Sequence, residues 1–204
     1  MAANQIVTGP QNNSDSQTIV ARAGKQGDAL VSELHGRYYE QTYRKNIYKA
    51  ASQAVATTTV GLATTYTGLC IFNPITSTVN AVLNKCSIMQ SVIQSTQVEA
   101  FAIATGFNST TAVTNTTPLA VRNAFTGSGP GVIQASISAT LPTAPFYDVF
   151  VQNTATATQN GIGSVIDLEG SIILPPGGYA LWVSPTQASV AGMWFSFSWE
   201  EVPV

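Results

Sequence analysis

Charge is scarce in this sequence. Eight Lys or Arg and ten Asp or Glu make up 9% of 204 residues, against about 25% in an ordinary soluble domain. Titratable and metal-binding chemistry is scarcer still, with one His and two Cys. A Ser-His-Asp centre would have to recruit His35. Cys70 and Cys86 cannot supply a four-ligand zinc site or a disulfide framework, so neither a metal nor a cofactor is expected. They read as small buried hydrophobes, although a single Cys70–Cys86 bond stays open. No run approaches the ~18 apolar residues of a membrane-spanning helix. Residues 1–20 have neither a basic start nor an apolar stretch, so no secretory leader is expected. A net charge of -2 gives no overall basic field for nucleic acid. No phosphate loop is present either, because Gly177-Gly178 follows Pro175-Pro176 and precedes a strand pattern.

The few charges are unevenly placed. Residues 1–50 hold Asp15, Arg22, Lys25, Asp28, Glu33, Arg37, Glu40, Arg44, Lys45 and Lys49, a net +2. Residues 51–204 hold only Lys85, Glu99, Arg122, Asp148, Asp167, Glu169, Glu200 and Glu201, a net -4. This predicts an N-terminal arm over 1–50 and a separate domain over 51–204. In the domain 22 Thr, 15 Ser, 8 Asn and 8 Gln take the place of charge. Thr is β-branched and suits a pleated surface. A neutral polar surface repels copies of itself weakly, which suits an assembly.

The domain reads as all-β. Ile133, Ala135, Ile137, Ala139 and Leu141 alternate with polar residues, the period of a half-buried strand. Phe195, Phe197 and Trp199 alternate with Ser196, Ser198 and Glu200. Further strands are predicted at 64–72, 78–93, 97–105, 118–125, 147–152, 164–174 and 179–184. Residues 78–93 also carry a helical stripe of Val79, Val82, Leu83, Cys86 and Met89, and strand is the preferred reading. Asn73-Pro74, Gly127-Ser128-Gly129-Pro130-Gly131 and Pro175-Pro176-Gly177-Gly178 mark breaks. Short strands at such intervals predict an antiparallel β-sandwich of about eight strands. The arm before it reads as extended or partly helical, with Leu30, Leu34 and Tyr38 at helical spacing after Asp28.

Few residues carry binding chemistry. Arg37, Tyr38, Tyr39, Tyr43, Arg44, Lys45 and Tyr48 crowd aromatics and cations into one short stretch. Stacking and charge could serve single-stranded nucleic acid. The same residue types dominate protein interfaces, and Glu33 and Glu40 dilute the charge, so a protein interface is the favoured reading. Asp167 and Glu169, placed on one side of a strand, could bind Ca²⁺ or do acid/base work. A solvated pair on a strand edge explains them more simply. With Asp148 they are the residues a carboxylate glycosidase would use, and an enzyme is not expected. Trp182 and Trp194 are the aromatics that could floor a glycan site, although a core role is the favoured reading for both, as for Trp199.

Three stretches carry a resemblance. Leu69-Cys70-Ile71-Phe72-Asn73-Pro74, Asp28 through Glu40, and the ending with Leu174-Pro175-Pro176-Gly177-Gly178-Tyr179 and Phe195 through Glu201 together touch most of the chain. In combination they resemble the capsid decoration (cement) and head-fibre proteins of tailed bacteriophages. The resemblance implies a jelly-roll-like body, often a homotrimer, on the outside of the head. It implies the major capsid protein as partner, an N-terminal segment touching the shell, and no catalytic residues. The alternative it leaves is a tail-fibre or surface jelly-roll module that grips a host glycan.

Overall fold

The computed structural model describes residues 37–90, 99–153, 163–185 and 192–204. The chain divides into two compact units, Met1–Glu40 and Gln41–Val204. Within the first, Arg37 and Tyr38 form a turn. The short helix α1 (Tyr39–Tyr43) follows. The N-terminal tail, His35 and the Leu30–Leu34 stripe lie outside the described residues.

The second unit is a β-sandwich of two six-stranded antiparallel sheets. In the first sheet, β1 (Ile47–Ala51) and β3 (Val79–Gln90) flank β12 (Met193–Pro203), and β6 (Arg122–Asn123) pairs with β1. The free edge of β3 is shared by β9 (Gly163–Asp167) and β10 (Ile173–Leu174). The second sheet runs β5 (Thr114–Leu119), β7 (Gln134–Thr140), β2 (Thr65–Phe72), β11 (Gly178–Val183), β4 (Glu99–Phe107), β8 (Phe146–Asn153). If β9 and β10 count as one interrupted strand, 1-12-3-9/10 faces 2-11-4-8. That order is the double Greek key of a jelly roll. Strands β5, β6 and β7 are an insertion between β4 and β8. Two of them widen the second sheet and one widens the first.

The alternation read from sequence places the core. On β12, Met193, Phe195, Phe197, Trp199 and Glu201 point inward, and the residues between them are half-buried outside. Trp182 stacks on Phe195 at 5.9 Å and meets Phe197 at 6.0 Å. Leu69, Ile71, Phe101, Ile103, Leu83 and Ile88 complete this inter-sheet core. A second cluster covers the outer face of the second sheet, with Tyr66, Cys70, Phe72, Tyr179, Leu181 and Val183. Strands β2, β4 and β11 are therefore apolar on both faces, which is why they read as continuous apolar runs. Cys70 and Cys86 sit in different sheets and clusters, and both are free thiols.

Turn chemistry agrees with the sequence. Gly178 N–H bonds the Pro175 carbonyl at 2.7 Å, with Gly177 at φ +90°. This is a type II turn with Pro176 and Gly177 at its centre. Buried Asn73 ends β2 and donates to the carbonyls of Val79 at 2.7 Å and Leu174 at 3.0 Å, tying three strand ends together.

Some boundaries differ from expectation. The charge distribution places a division near residue 50, yet the two units part between Glu40 and Gln41. Ile47 and Ala50 are buried, and β1 pairs with both β12 and β6. Removing residues 1–50 would therefore take out a strand of the sandwich. Residues 164–174 are not one strand. Leu168 and Glu169 N–H both bond the Asn84 carbonyl, and Glu169 (φ +50°) with Gly170 (φ +80°) turns the chain out of the ladder. Residues 118–125 divide between the end of β5 and the two-residue β6.

Candidate functional site

The aromatic and basic stretch is dispersed by the fold. In the first unit, the Arg37 guanidinium lies 5.6 Å from the Tyr38 ring centre, and Tyr39 is exposed. In the second unit, Tyr43 and Arg44 are exposed, whereas Tyr48 is half-buried in β1 and packs on the inter-sheet core. Tyr48 thus serves the sandwich first, because it pairs directly with Trp199, which points inward from β12.

Lys45 holds the turn after α1. It sits at φ +66° and donates to the Thr42 carbonyl at 3.0 Å, while Asn46 N–H bonds the Gln41 carbonyl at 2.9 Å. This is a Schellman cap with Lys where Gly is usual. Buried Asn123 then clamps the turn. Its Nδ2 donates to the Lys45 carbonyl at 2.6 Å, and its Oδ1 accepts Phe125 N–H at 3.0 Å. The result places Phe125 edge-to-face with Tyr43 at 5.7 Å, with the Lys45 ammonium 5.9 Å from the Phe125 ring centre. Tyr43 is 60% exposed and Phe125 52%. Phe125 was not singled out from sequence. Its only signal is a Phe beside the Gly/Pro-rich break, far along the chain from Tyr43.

Strand register gathers more cations beside this patch. Lys49 pairs directly with Arg122 on β6 and with Ser198 on β12. Ser198 pairs with Lys85, and Lys85 with Asp167. One row across the first sheet is thus Arg122, Lys49, Ser198, Lys85, Asp167. Lys85 and Asp167 form an ion pair at 3.6 Å. Of the five Lys and Arg in Gln41–Val204, four (Arg44, Lys45, Lys49 and Arg122) are on or next to β1 and β6.

The acidic residues considered as catalytic do not form a paired site in the way the sequence pattern suggests. Asp167 ends β9, and Glu169 lies in the turn beyond, so strand alternation no longer puts the two on one face. Asp148 lies on β8 of the other sheet and accepts the Thr105 hydroxyl. Among the described residues, no three His, Cys, Asp or Glu side chains are grouped to hold a metal ion. Trp182 is fully buried and cannot floor a glycan site. Trp194 is half-buried on the outer face of β12, paired with exposed Met89. No helix among the described residues is long and apolar enough to cross a membrane.

One carboxylate outside these candidates has a structural role. Glu201 points inward from β12 and accepts the N–H groups of Val132 and Ile133 at 3.0 Å each. Gly131 leaves room for it, since a Cβ there would lie 2.3 Å from Glu201 Oε1. Comparison with protein-family models, with curated proteins and with solved structures finds no match.

Proposed function

We propose that this chain is a non-enzymatic structural subunit of a tailed-phage virion. It attaches as a homo-oligomer, a trimer in the favoured form, to the outside of the major capsid lattice. The jelly-roll body is the displayed mass. Arg37, Tyr38, Tyr39, Tyr43 and Arg44 are the anchors on the shell, and residues before them add to the contact. The observation that carries this reading is the exposure of Tyr39 and Tyr43 at the two ends of α1. Large aromatics beside cations, outside any core, are typical interface anchors. Each contact is modest, and repetition over a symmetric shell multiplies their effect through avidity.

The test is binding of the purified full-length chain to heads that lack it. Tyr39→Ala with Tyr43→Ala should weaken binding at least ~30-fold, since such anchors contribute about 2 kcal/mol or more. A chain starting at Gln41, which keeps β1 but loses Arg37, Tyr38 and Tyr39, should fold and bind at least ~30-fold more weakly. Wild-type occupancy by either variant would overturn the anchor assignment.

A further inference from the structure

The sandwich has two unlike lateral edges. One is built from β1, β6 and the inserted strands. It carries Arg44, Lys45, Lys49 and Arg122, with exposed Tyr43 and Phe125. Glu200 is the carboxylate nearest to it in register, opposite buried Ile47. The other edge is built from β8 of one sheet and β9–β10 of the other. It carries exposed Asp148, Asp167 and Glu169, with Lys85 as the neighbouring cation. A groove of about 530 Å³ opens there between the two sheets, lined by Phe107, Phe146, Ile173 and Pro175. Phe146 and Val165 are each 74% exposed.

Two features of these edges point to a missing partner. Lys49 and Arg122 stand directly opposite each other, an arrangement that costs stability unless an anion offsets it. Among the described residues, neither has a carboxylate at ion-pairing distance. The strand edges also differ in protection. β5 has Pro118 and two register breaks, β6 is two residues long, and β9–β10 is interrupted. β8 has one irregularity, beside Asp148, and then runs Val149-Phe150-Val151-Gln152-Asn153 without charge or Pro. Proteins that stay apart usually blunt such an edge.

We propose that copies of this chain associate head to tail, the β1–β6 edge of one against the β8–β10 edge of the next. Lys49, Arg122 and Lys45 meet Asp148, Glu169 and Asp167, and Phe125 approaches the groove beside Phe146. Each copy offers one edge of each kind, so the contact is heterologous and closes into a ring when the rotation allows. This deepens the homo-oligomer part of the proposed function and is independent of its capsid partner.

The experiment is the solution mass of the full-length chain by light scattering and native mass spectrometry, in low and high salt. The expected result is an oligomer that loosens as salt screens the edges. Lys49→Glu with Arg122→Glu should reduce it to monomer, as should Asp148→Lys with Glu169→Lys. All four changes in one chain should restore association. Zero-length carbodiimide cross-linking of wild type should join Lys45 or Lys49 of one copy to Asp148 or Glu169 of another, a readout that survives if a variant fails to fold. A wild-type monomer at all concentrations, or cross-links that avoid these edges, would overturn the proposal. Head binding measured on the same samples separates the two ideas. A monomer that still decorates heads refutes the edge pairing alone.

Discussion

Glu201 Oε1 accepts the main-chain N–H of Ile133 at 3.0 Å, joining the strand at the end of this sequence to the start of β7. Its other oxygen takes Val132 N–H at the same distance. A single carboxylate thereby fixes where the inserted strands return to the sandwich. It occupies an inward position that alternation along β12 would otherwise give to an apolar residue.

Replacing Glu201 by Ala should destabilise the fold by roughly 2–3 kcal/mol, because two main-chain donors lose a charged acceptor. Glu201→Gln keeps one acceptor oxygen and should cost about half as much. Urea midpoints at constant slope measure both. Hydrogen exchange should accelerate first at Val132 and Ile133. Equal costs for Ala and Gln would show that the two bonds contribute little.

The two tryptophans considered for glycan binding should behave oppositely. Trp182→Ala should cost about 3–5 kcal/mol, as it empties the space between Phe195 and Phe197. Trp182→Phe should cost less, since among the described residues the indole N–H has no hydrogen-bond partner. Trp194→Ala, half-buried on the outer face, should shift stability by under ~1 kcal/mol. Thermal unfolding of the three variants is sufficient to decide this.

Burial pushes the Cys86 thiol up to about 12 from an ordinary 9.0, and pushes Cys70 higher still. Tyr66 and Tyr179 are raised by burial as well. In each case the folded state keeps its proton at a pH where the unfolded chain releases it. Their contribution to stability is therefore intact below pH 9 and is lost as pH rises from there toward about 12. The urea midpoint should be level from pH 7 to 9 with respect to these groups and fall above it. At pH 8, native Cys86 should react with iodoacetamide at a small fraction of its rate in urea.

The sandwich was legible where one face of a strand is buried. β7 and β12 alternate cleanly, and the Pro-Gly turn before β11 announces itself. β1 was hidden because Ile47-Tyr48-Lys49-Ala50-Ala51 lies in the most charged part of the chain, and its partners are distant in sequence. The break between β9 and β10 depends on the Asn84 carbonyl, which no local pattern of residues 164–174 reports. The aromatic–cation patch was half legible. Tyr43 and Lys45 stood out by composition, while Phe125 joins them only through the clamp made by Asn123. The row from Arg122 to Asp167 required the register of five strands and could not be read from spacing along one.

The position of β12 also governs when the chain can fold. It lies between β1 and β3 and forms eleven register pairs with β3 alone. Until residues 193–203 have left the ribosome, β1 and β3 have no partner between them, and the aromatic half of the core is absent. Such long-range pairing makes folding slow and late. Products that stop short of residue 193 would leave the first sheet in two pieces, β1 with β6 and β3 with β9 and β10, and would be open to proteolysis. Topology thus proofreads the sandwich, because only a chain that contains β12 can join the two halves of the first sheet.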